Sequence, residues 1–250
     1  MLANLSRPII FGHRGAPVHA PENTLASFQQ ALLAGAPAIE LDAKLTADQQ
    51  VVVLHDATLD RTTNGYGQLA AHTLSQVREL DAGGWFSPAF RGEKVPTLAD
   101  VFDLVRDKAL INVELTNYQT TNDALVEKVV ELVRQFRLES SVLFSSFNPQ
   151  NLLRSRRLIP EVPLGFLILE GQAGWFSRNM ATRFIAYDAL HPSQKDVSPR
   201  MVQNQHQRHK LVHVWTVNQP DEISKLVAWE VDGIFTDDPA LALRVLKEAG

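Results

Sequence analysis

Nine short apolar runs rich in Val, Ile, Leu and Phe punctuate the chain, and longer stretches, mostly with helical patterning, separate all but one neighbouring pair. A strand–helix alternation kept up over a whole chain demands a mainly parallel sheet with helices packed outside it. The predicted strands are Pro8–Gly12, Ala38–Leu45, Val51–His55, Leu110–Leu115, Val142–Ser145, Leu164–Leu169, Tyr187–His191, Val212–Val217 and Gly233–Thr236. The exception is informative. Only Thr46-Ala47-Asp48-Gln49-Gln50 joins the second run to the third. A parallel crossover takes about a dozen residues or more, so Val51–His55 is expected to fold back antiparallel as an arm outside the main sheet. Eight strands remain, which favours an α/β fold of the closed (β/α)8 TIM-barrel kind over an open doubly wound sheet. One domain over residues 1–250 is expected, with an insertion subdomain after strand two, approximately residues 46–108.

Local signals fill in the rest. Glu22 or Asn23 is placed to cap a helix in which Leu25, Phe28, Leu32 and Leu33 recur at helical spacing, and Gly35 stops it. The long loop after the arm carries turn-rich segments at Arg61–Gly67 and Gly83–Pro88, and long loops at the edge of a scaffold are usually functional. The turn of the arm leaves two registers open. Centred on Ala47-Asp48 it sets residue 55 opposite residue 40; centred one residue later, opposite residue 42.

The chain has no cysteine, so disulfides, thiolate metal sites and cysteine nucleophiles are excluded and any metal must be held by oxygen or imidazole. A net charge of −4 argues against broad binding to nucleic acid or anionic membrane. Residues Met1–Pro8 do not read as a secretory signal, and no apolar stretch approaches the ~18 residues of a membrane span. A cytoplasmic protein without a stable membrane anchor is expected; the oligomeric state is not encoded in any feature of the sequence.

Chemistry-bearing residues collect at strand ends, the edge where parallel α/β proteins place their sites. His13 and Arg14 follow the first strand, Glu40 and Asp42 share one face of the second, Glu114 ends the next barrel strand, and His55 ends the arm. Two carboxylates buried side by side are costly unless a cation neutralises them. An isolated Glu-x-Asp would ordinarily be a solvated pair, but Glu114 supplies a third oxygen ligand from the neighbouring strand. That set suits one divalent cation, Mg²⁺ or Ca²⁺ first and Mn²⁺ as a further option. His13 and His55, beside such an ion, suit general acid–base catalysis, and Arg14 suits a negative oxygen. Together they fit cleavage of a small phosphodiester. His191 ends a strand and is a candidate to face the site, while His206 and His209 read as solvated. Trp215 is either barrel filler or a wall against an apolar part of a substrate, and Phe147 is a similar case.

The ordered motifs resemble those of the glycerophosphodiester phosphodiesterase family. They are Gly-His-Arg-Gly at 12–15, Pro-Glu-Asn-Thr at 21–24, Glu-Leu-Asp at 40–42, His-Asp at 55–56, Arg61-Thr62-Thr63 through Gly67, Asn-Val-Glu-Leu at 112–115, Ser-Ser-Phe at 145–147, Trp-Thr-Val-Asn at 215–218 and Asp-Gly-Ile-Phe-Thr-Asp at 232–237. The resemblance implies a (β/α)8 barrel and hydrolysis of a glycerophosphodiester to sn-glycerol 3-phosphate and an alcohol, by way of a cyclic phosphate. It implies that His13 and His55 are the acid–base pair, that Glu40, Asp42 and Glu114 hold the cation, and that Arg14 contacts phosphate. One position departs from the pattern. Thr116 stands where many members have lysine, and Lys44, in phase with Glu40 and Asp42, is a candidate replacement; both are possible phosphate contacts. Two other readings compete. One is a phospholipase-D-like enzyme acting on lysophospholipid or sphingomyelin, with Trp85, Phe86 and Phe90 as its apolar contact. The other is a non-catalytic phosphate-binding barrel, favoured only if Thr116 marks lost activity.

Overall fold

The structure, a computed structural model, describes residues 5–172, 174 and 185–249. Its strands are β1 (Ile9–Gly12), β2 (Ala38–Leu45), β3 (Val51–Val53), β4 (Leu110–Leu115), β5 (Val142–Ser146), β6 (Leu164–Leu167), β7 (Ala189–His191), β8 (Leu211–Val214) and β9 (Gly233–Thr236). They lie in the order β1-β9-β8-β7-β6-β5-β4-β2-β3, and β1 pairs again with β2, so eight parallel strands close into a barrel. β3 runs antiparallel to β2 and stays outside the ring, as the five-residue connection requires. The segment containing Trp175 and Phe176 lies outside the described residues.

Alternation along each strand sorts side chains between two cores. Ile9, Phe11, Ala38, Leu110, Leu143 and Phe235 form one apolar cluster, which identifies the inward phase. Ile39, Leu41, Ala43, Ile111, Val113 and Leu115 join the larger cluster under the helices Leu25–Leu33, Leu98–Val105 and Leu125–Phe136. Glu40 and Asp42 are in phase with Ala38, and Asn112 and Glu114 with Leu110. The acids therefore point into the barrel because their apolar neighbours point out. Gly165 and Gly233 make room inside: a Cβ on Gly165 would come within 2.3 Å of the His191 ring, and one on Gly233 within 2.8 Å of both His213 and Phe11.

Hydroxyl caps start several helices where the chain leaves a strand end. The first helix is capped by Thr24, whose side chain accepts from Ser27 N. The expectation of Glu22 or Asn23 in that role is corrected: Asn23 has φ 57° and spends its amide on Asp42, and Glu22 binds arginines. Thr73 and Thr97 each form a reciprocal capping box.

The arm takes neither predicted register. Ala43 pairs with Val53, Lys44 with Val52 and Leu45 with Val51, so the turn centres on Asp48 itself and continuation of the ladder would set residue 55 against Leu41. The ladder ends at Val53, with one more bond from Leu54 N to Asp42 O (2.9 Å), and His55 leaves the sheet. Beyond it the insertion has its own small core of Val52, Leu54, Leu59, Leu69, Val77, Ala82 and Val95. The helix Leu98–Val105 contacts the helices on either side of it in the barrel's outer ring. No helix among the described residues is long and apolar enough to cross a membrane.

Candidate active site

At the C-terminal end of the barrel a cavity of about 150 Å³ is lined by His13, Arg14, Glu40, His55, Asn112, Glu114, Ser145, Phe147, Leu167, His191, Trp215, Thr216 and Phe235. Four separate stretches of sequence thus bring the expected acids, histidines and arginine to one place.

Glu40, Asp42 and Glu114 each offer an oxygen, and these oxygens lie within 4.8 Å of one another. At an effective dielectric constant of about 20, two like charges about 4 Å apart repel by about 4 kcal/mol. Three ionised carboxylates carry three such repulsions on top of their desolvation. Arg14 does not neutralise them, because its guanidinium is shared between Glu22 (NH1 to Oε1, 2.8 Å) and Asp42 (Nε to Oδ2, 3.4 Å). Burial, followed by the charges of Asp42 and Glu114, holds the Glu40 carboxyl well above the usual carboxylate range. Burial and the Asp42 charge push Glu114 up to about 8, although Tyr118 donates to its Oε1 at 2.7 Å. Asp42 is also buried, but the Arg14 charge, the His55 charge and the Asn23 amide (2.8 Å) together hold its carboxyl down. Three converging carboxylate oxygens whose combined charge one shared guanidinium only partly offsets are a donor set fitted to a hard divalent cation.

Each flanking histidine is held by an aspartate through Nδ1. His13 meets Asp237 Oδ1 at 2.7 Å, and Asn218 fixes Asp237 by donating to its Oδ2 (2.6 Å) while accepting from its backbone N (2.9 Å). His55 meets Asp56 Oδ1 at 2.6 Å, and Arg61 grips Asp56 through Nε (2.7 Å) and NH2 (3.1 Å). Arg61 also binds both oxygens of Glu22, the carboxylate that holds Arg14. One ion-pair chain therefore ties the insertion to the barrel's first loop. A carboxylate on Nδ1 favours the tautomer with Nδ1 protonated and leaves Nε2 free to act.

The remaining expected residues fall elsewhere. Phe147 and Trp215 meet edge to face (5.7 Å between centroids) on one wall, and the Trp215 indole donates to His191 O (2.8 Å). Trp215 lies just beyond the end of β8, where it both packs against the apolar cluster inside the barrel and lines the cavity, so it serves as filler and as wall. His191 lies at the cavity floor, fully buried, with its Nε2 3.1 Å from His213 Nδ1. Lys44 and Thr116 are outside this cavity. Lys44 Nζ donates to both the carbonyl and the hydroxyl of Thr116 (2.8 Å each), and that hydroxyl donates to Ala43 O. His206 is not simply solvated, since its Nε2 bonds Asp232 at 2.8 Å. Asp237, Asn218, Tyr118 and Arg61 gave no reading of their own in the sequence. Asp237 did carry a signal, standing immediately after the last strand.

The glycerophosphoryl diester phosphodiesterase family model matches residues 13–241. The chain belongs to that family. It is 36% identical to a glycerophosphodiester phosphodiesterase of Caldanaerobacter subterraneus subsp. tengcongensis over 98% of this chain and 100% of that one. It is 31% identical to a glycerophosphodiester phosphodiesterase of Bacillus subtilis, over 98% of this chain and 89% of that one. Among solved structures, an Oleispira antarctica phosphodiesterase in complex with the product sn-glycerol-3-phosphate superposes with a TM-score of 0.88 at 28% identity, covering 96% of this chain and 97% of that one. The enzyme is thus a glycerophosphodiester phosphodiesterase by descent and architecture, and the reading of a non-catalytic barrel is set aside.

Proposed function

We propose that this enzyme hydrolyses water-soluble glycerophosphodiesters to sn-glycerol 3-phosphate and an alcohol, with a divalent cation held by Glu40, Asp42 and Glu114. The observation that carries the reading is the convergence of these three acids between two aspartate-held histidines. The product seen in the Oleispira antarctica relative is the support for the product named here. Mg²⁺ or Ca²⁺ suits the oxygen set best, and Mn²⁺ also fits it. Such an ion supplies positive charge to the phosphoryl oxygens and makes a bound hydroxyl more acidic.

The chain's own residues do the rest. Arg14, which lines the cavity, adds a permanent positive charge beside the phosphate. One of the histidines takes the proton of the attacking hydroxyl, and the other gives one to the departing alkoxide as its bond to phosphorus breaks. Asp237 and Asp56 orient the rings and stabilise the imidazolium forms. Phe147 and Trp215 supply an apolar wall suited to the carbon face of glycerol. The apolar residues of the lysophospholipid reading lie away from this cavity. Trp85, Phe86 and Phe90 stack edge to face on one another, and none lines the cavity.

The test is a product assay over a panel of glycerophosphodiesters and lysophospholipids with Mg²⁺, Ca²⁺ or Mn²⁺. The expected result is release of sn-glycerol 3-phosphate from the diesters. Turnover confined to lysophosphatidylcholine would overturn the proposal.

A further inference from the structure

The two rim histidines are braced differently. Asp237, behind His13, is fixed by a neutral partner from the barrel, Asn218. Asp56, behind His55, is fixed by a cation from the insertion, Arg61. Both edges of the Arg61 guanidinium are in use. Nε and NH2 meet the two oxygens of Asp56 (2.7 and 3.1 Å), and NH1 and NH2 meet the two oxygens of Glu22 (2.7 and 2.8 Å). Glu22 also accepts from Arg14 NH1 (2.8 Å), on the same Oε1 that Arg61 NH2 holds. One planar group thus stands between the carboxylate that holds His55 and the carboxylate that holds Arg14.

The turn that carries Arg61 is set locally. Leu59 is buried in the insertion's own core, Thr63 N and Oγ1 both donate to Leu59 O (3.1 and 2.6 Å), and Gly67 N donates to Asp60 Oδ2 (3.0 Å). A rigid fork on so constrained a turn loses little freedom when it makes its bonds. An isolated exposed ion pair contributes little. Arg61 differs because each of its two carboxylates is bonded in turn to a residue of the cavity wall.

We infer that Arg61 is a positioning residue that holds His55 and Arg14 in register with one another, so that the site is complete only when the insertion is docked on the barrel. The inference rests on the phosphodiesterase reading above, in which His55 moves a proton and Arg14 faces the phosphate. The two arms act on different steps. Without Arg61, the partly exposed Asp56 side chain turns more freely about His55 Nδ1, the ring loses its orientation, and turnover falls. Without Arg61, Glu22 is left to draw the Arg14 guanidinium onto both its oxygens, which takes charge away from the cavity and weakens the hold on phosphate. Lysine cannot stand in, because its ammonium is a point charge without two edges to offer two carboxylates.

Arg78 is the internal control. It is also an insertion arginine paired with an aspartate, Asp100, and its side chain is 45% exposed against 44% for Arg61, but neither it nor Asp100 lines the cavity. The experiment measures kcat and KM on glycerophosphoglycerol with Mg²⁺ present, the inhibition constant of inorganic phosphate, and Tm. The set is the wild type, Arg61→Gln, Arg61→Lys, Asp56→Asn, the double variant of Arg61→Gln with Asp56→Asn, and Arg78→Gln. Arg61→Gln is expected to lower kcat by about 10–100-fold and to weaken phosphate inhibition by about threefold or more, with Arg61→Lys following it and Arg78→Gln changing neither. The double variant should match the kcat of Asp56→Asn within about twofold while binding phosphate more weakly than Asp56→Asn does. Should Arg61→Gln melt early, Arg61→Lys carries the test. A loss of Tm alone, with kcat and phosphate inhibition as in Arg78→Gln, would overturn the inference. So would a fully active Arg61→Lys, or kcat losses that simply multiply in the double variant. A kcat loss with unchanged phosphate inhibition would overturn the link to Arg14. A wild type that releases no sn-glycerol 3-phosphate from any glycerophosphodiester would overturn the phosphodiesterase reading and this inference with it.

Discussion

Two histidine pairs sit within one barrel, and their surroundings give them opposite uses. His13 and His55 stand at the rim, partly open to water, each with an aspartate on Nδ1. His191 and His213 lie in the interior, fully buried, bonded to each other and to no carboxylate. Burial, with its neighbour His213, holds His191 well below the usual histidine range, and burial holds His213 down to about 4 despite the charge of Asp232. The inner pair is therefore neutral packing with polar edges. The comparison shows that residue type does not separate the pair proposed for catalysis from the other. A carboxylate on one nitrogen and open space at the other do.

That comparison can be broken directly. His13→Ala and His55→Ala should each lower kcat by about 10²–10⁴ with little change in Tm, because a general acid or base is lost and no large cavity forms. His191→Ala should do the reverse. Truncating a fully buried ring that Gly165 accommodates should cost about 2–4 kcal/mol in chemical denaturation and change kcat less than the rim substitutions do. Equal losses of kcat from the inner and outer pairs would erase the distinction.

Asp237→Asn sharpens it. The amide cannot stabilise the His13 imidazolium, so kcat should fall by about 10–100-fold while the fold persists. An unchanged kcat would show that the His13–Asp237 contact is structural.

Acid titration of stability is a further test. His213 protonates near its ordinary value in the unfolded chain and only near 4 in the folded one. Between about pH 6.5 and 4 the unfolded state binds more protons, so this residue's contribution to stability is present above 6.5 and lost as pH falls through that window. His213→Phe, similar in size and unable to titrate, should flatten the fall in Tm over that range. An unaltered slope would contradict the assignment of a neutral buried ring.

The smallest effect is expected at Thr116→Lys. Thr116 is buried, its hydroxyl bonds Ala43 O, and Lys44 Nζ rests on it. A second ammonium there meets the first, so a stability loss of about 1–2 kcal/mol is expected instead of tighter phosphate binding. A lowered inhibition constant for phosphate in a stable variant would show that residue 116 reaches the phosphate site.

The barrel was legible in the sequence because strand period, helix length and a connection too short for a crossover are local quantities. Glu40, Asp42 and Glu114 were legible for the same reason: two positions on a strand fix a face, and their apolar neighbours fix which face is inward. What the sequence could not show depends on partners far along the chain. His13 is held by Asp237, 224 residues away, and that pairing exists only once β9 closes against β1. The register of the arm was missed because the turn centres on a residue, Asp48, when both expected registers centred it between residues; Thr46 N donating to Gln50 O fixes that choice. Trp215 read as part of a strand running to Val217 and sooner as filler than as wall, since nothing local says that β8 ends at Val214.

The account's central claim is that the three buried acids work only with a cation between them, flanked by the rim histidines. The most direct measurement is the release of sn-glycerol 3-phosphate from glycerophosphoglycerol by exhaustively chelated enzyme, before and after Mg²⁺, Ca²⁺ or Mn²⁺ is added back. The account predicts no product until a divalent cation is restored, with Glu114→Gln needing far more of it. Full turnover by the chelated enzyme would contradict the claim.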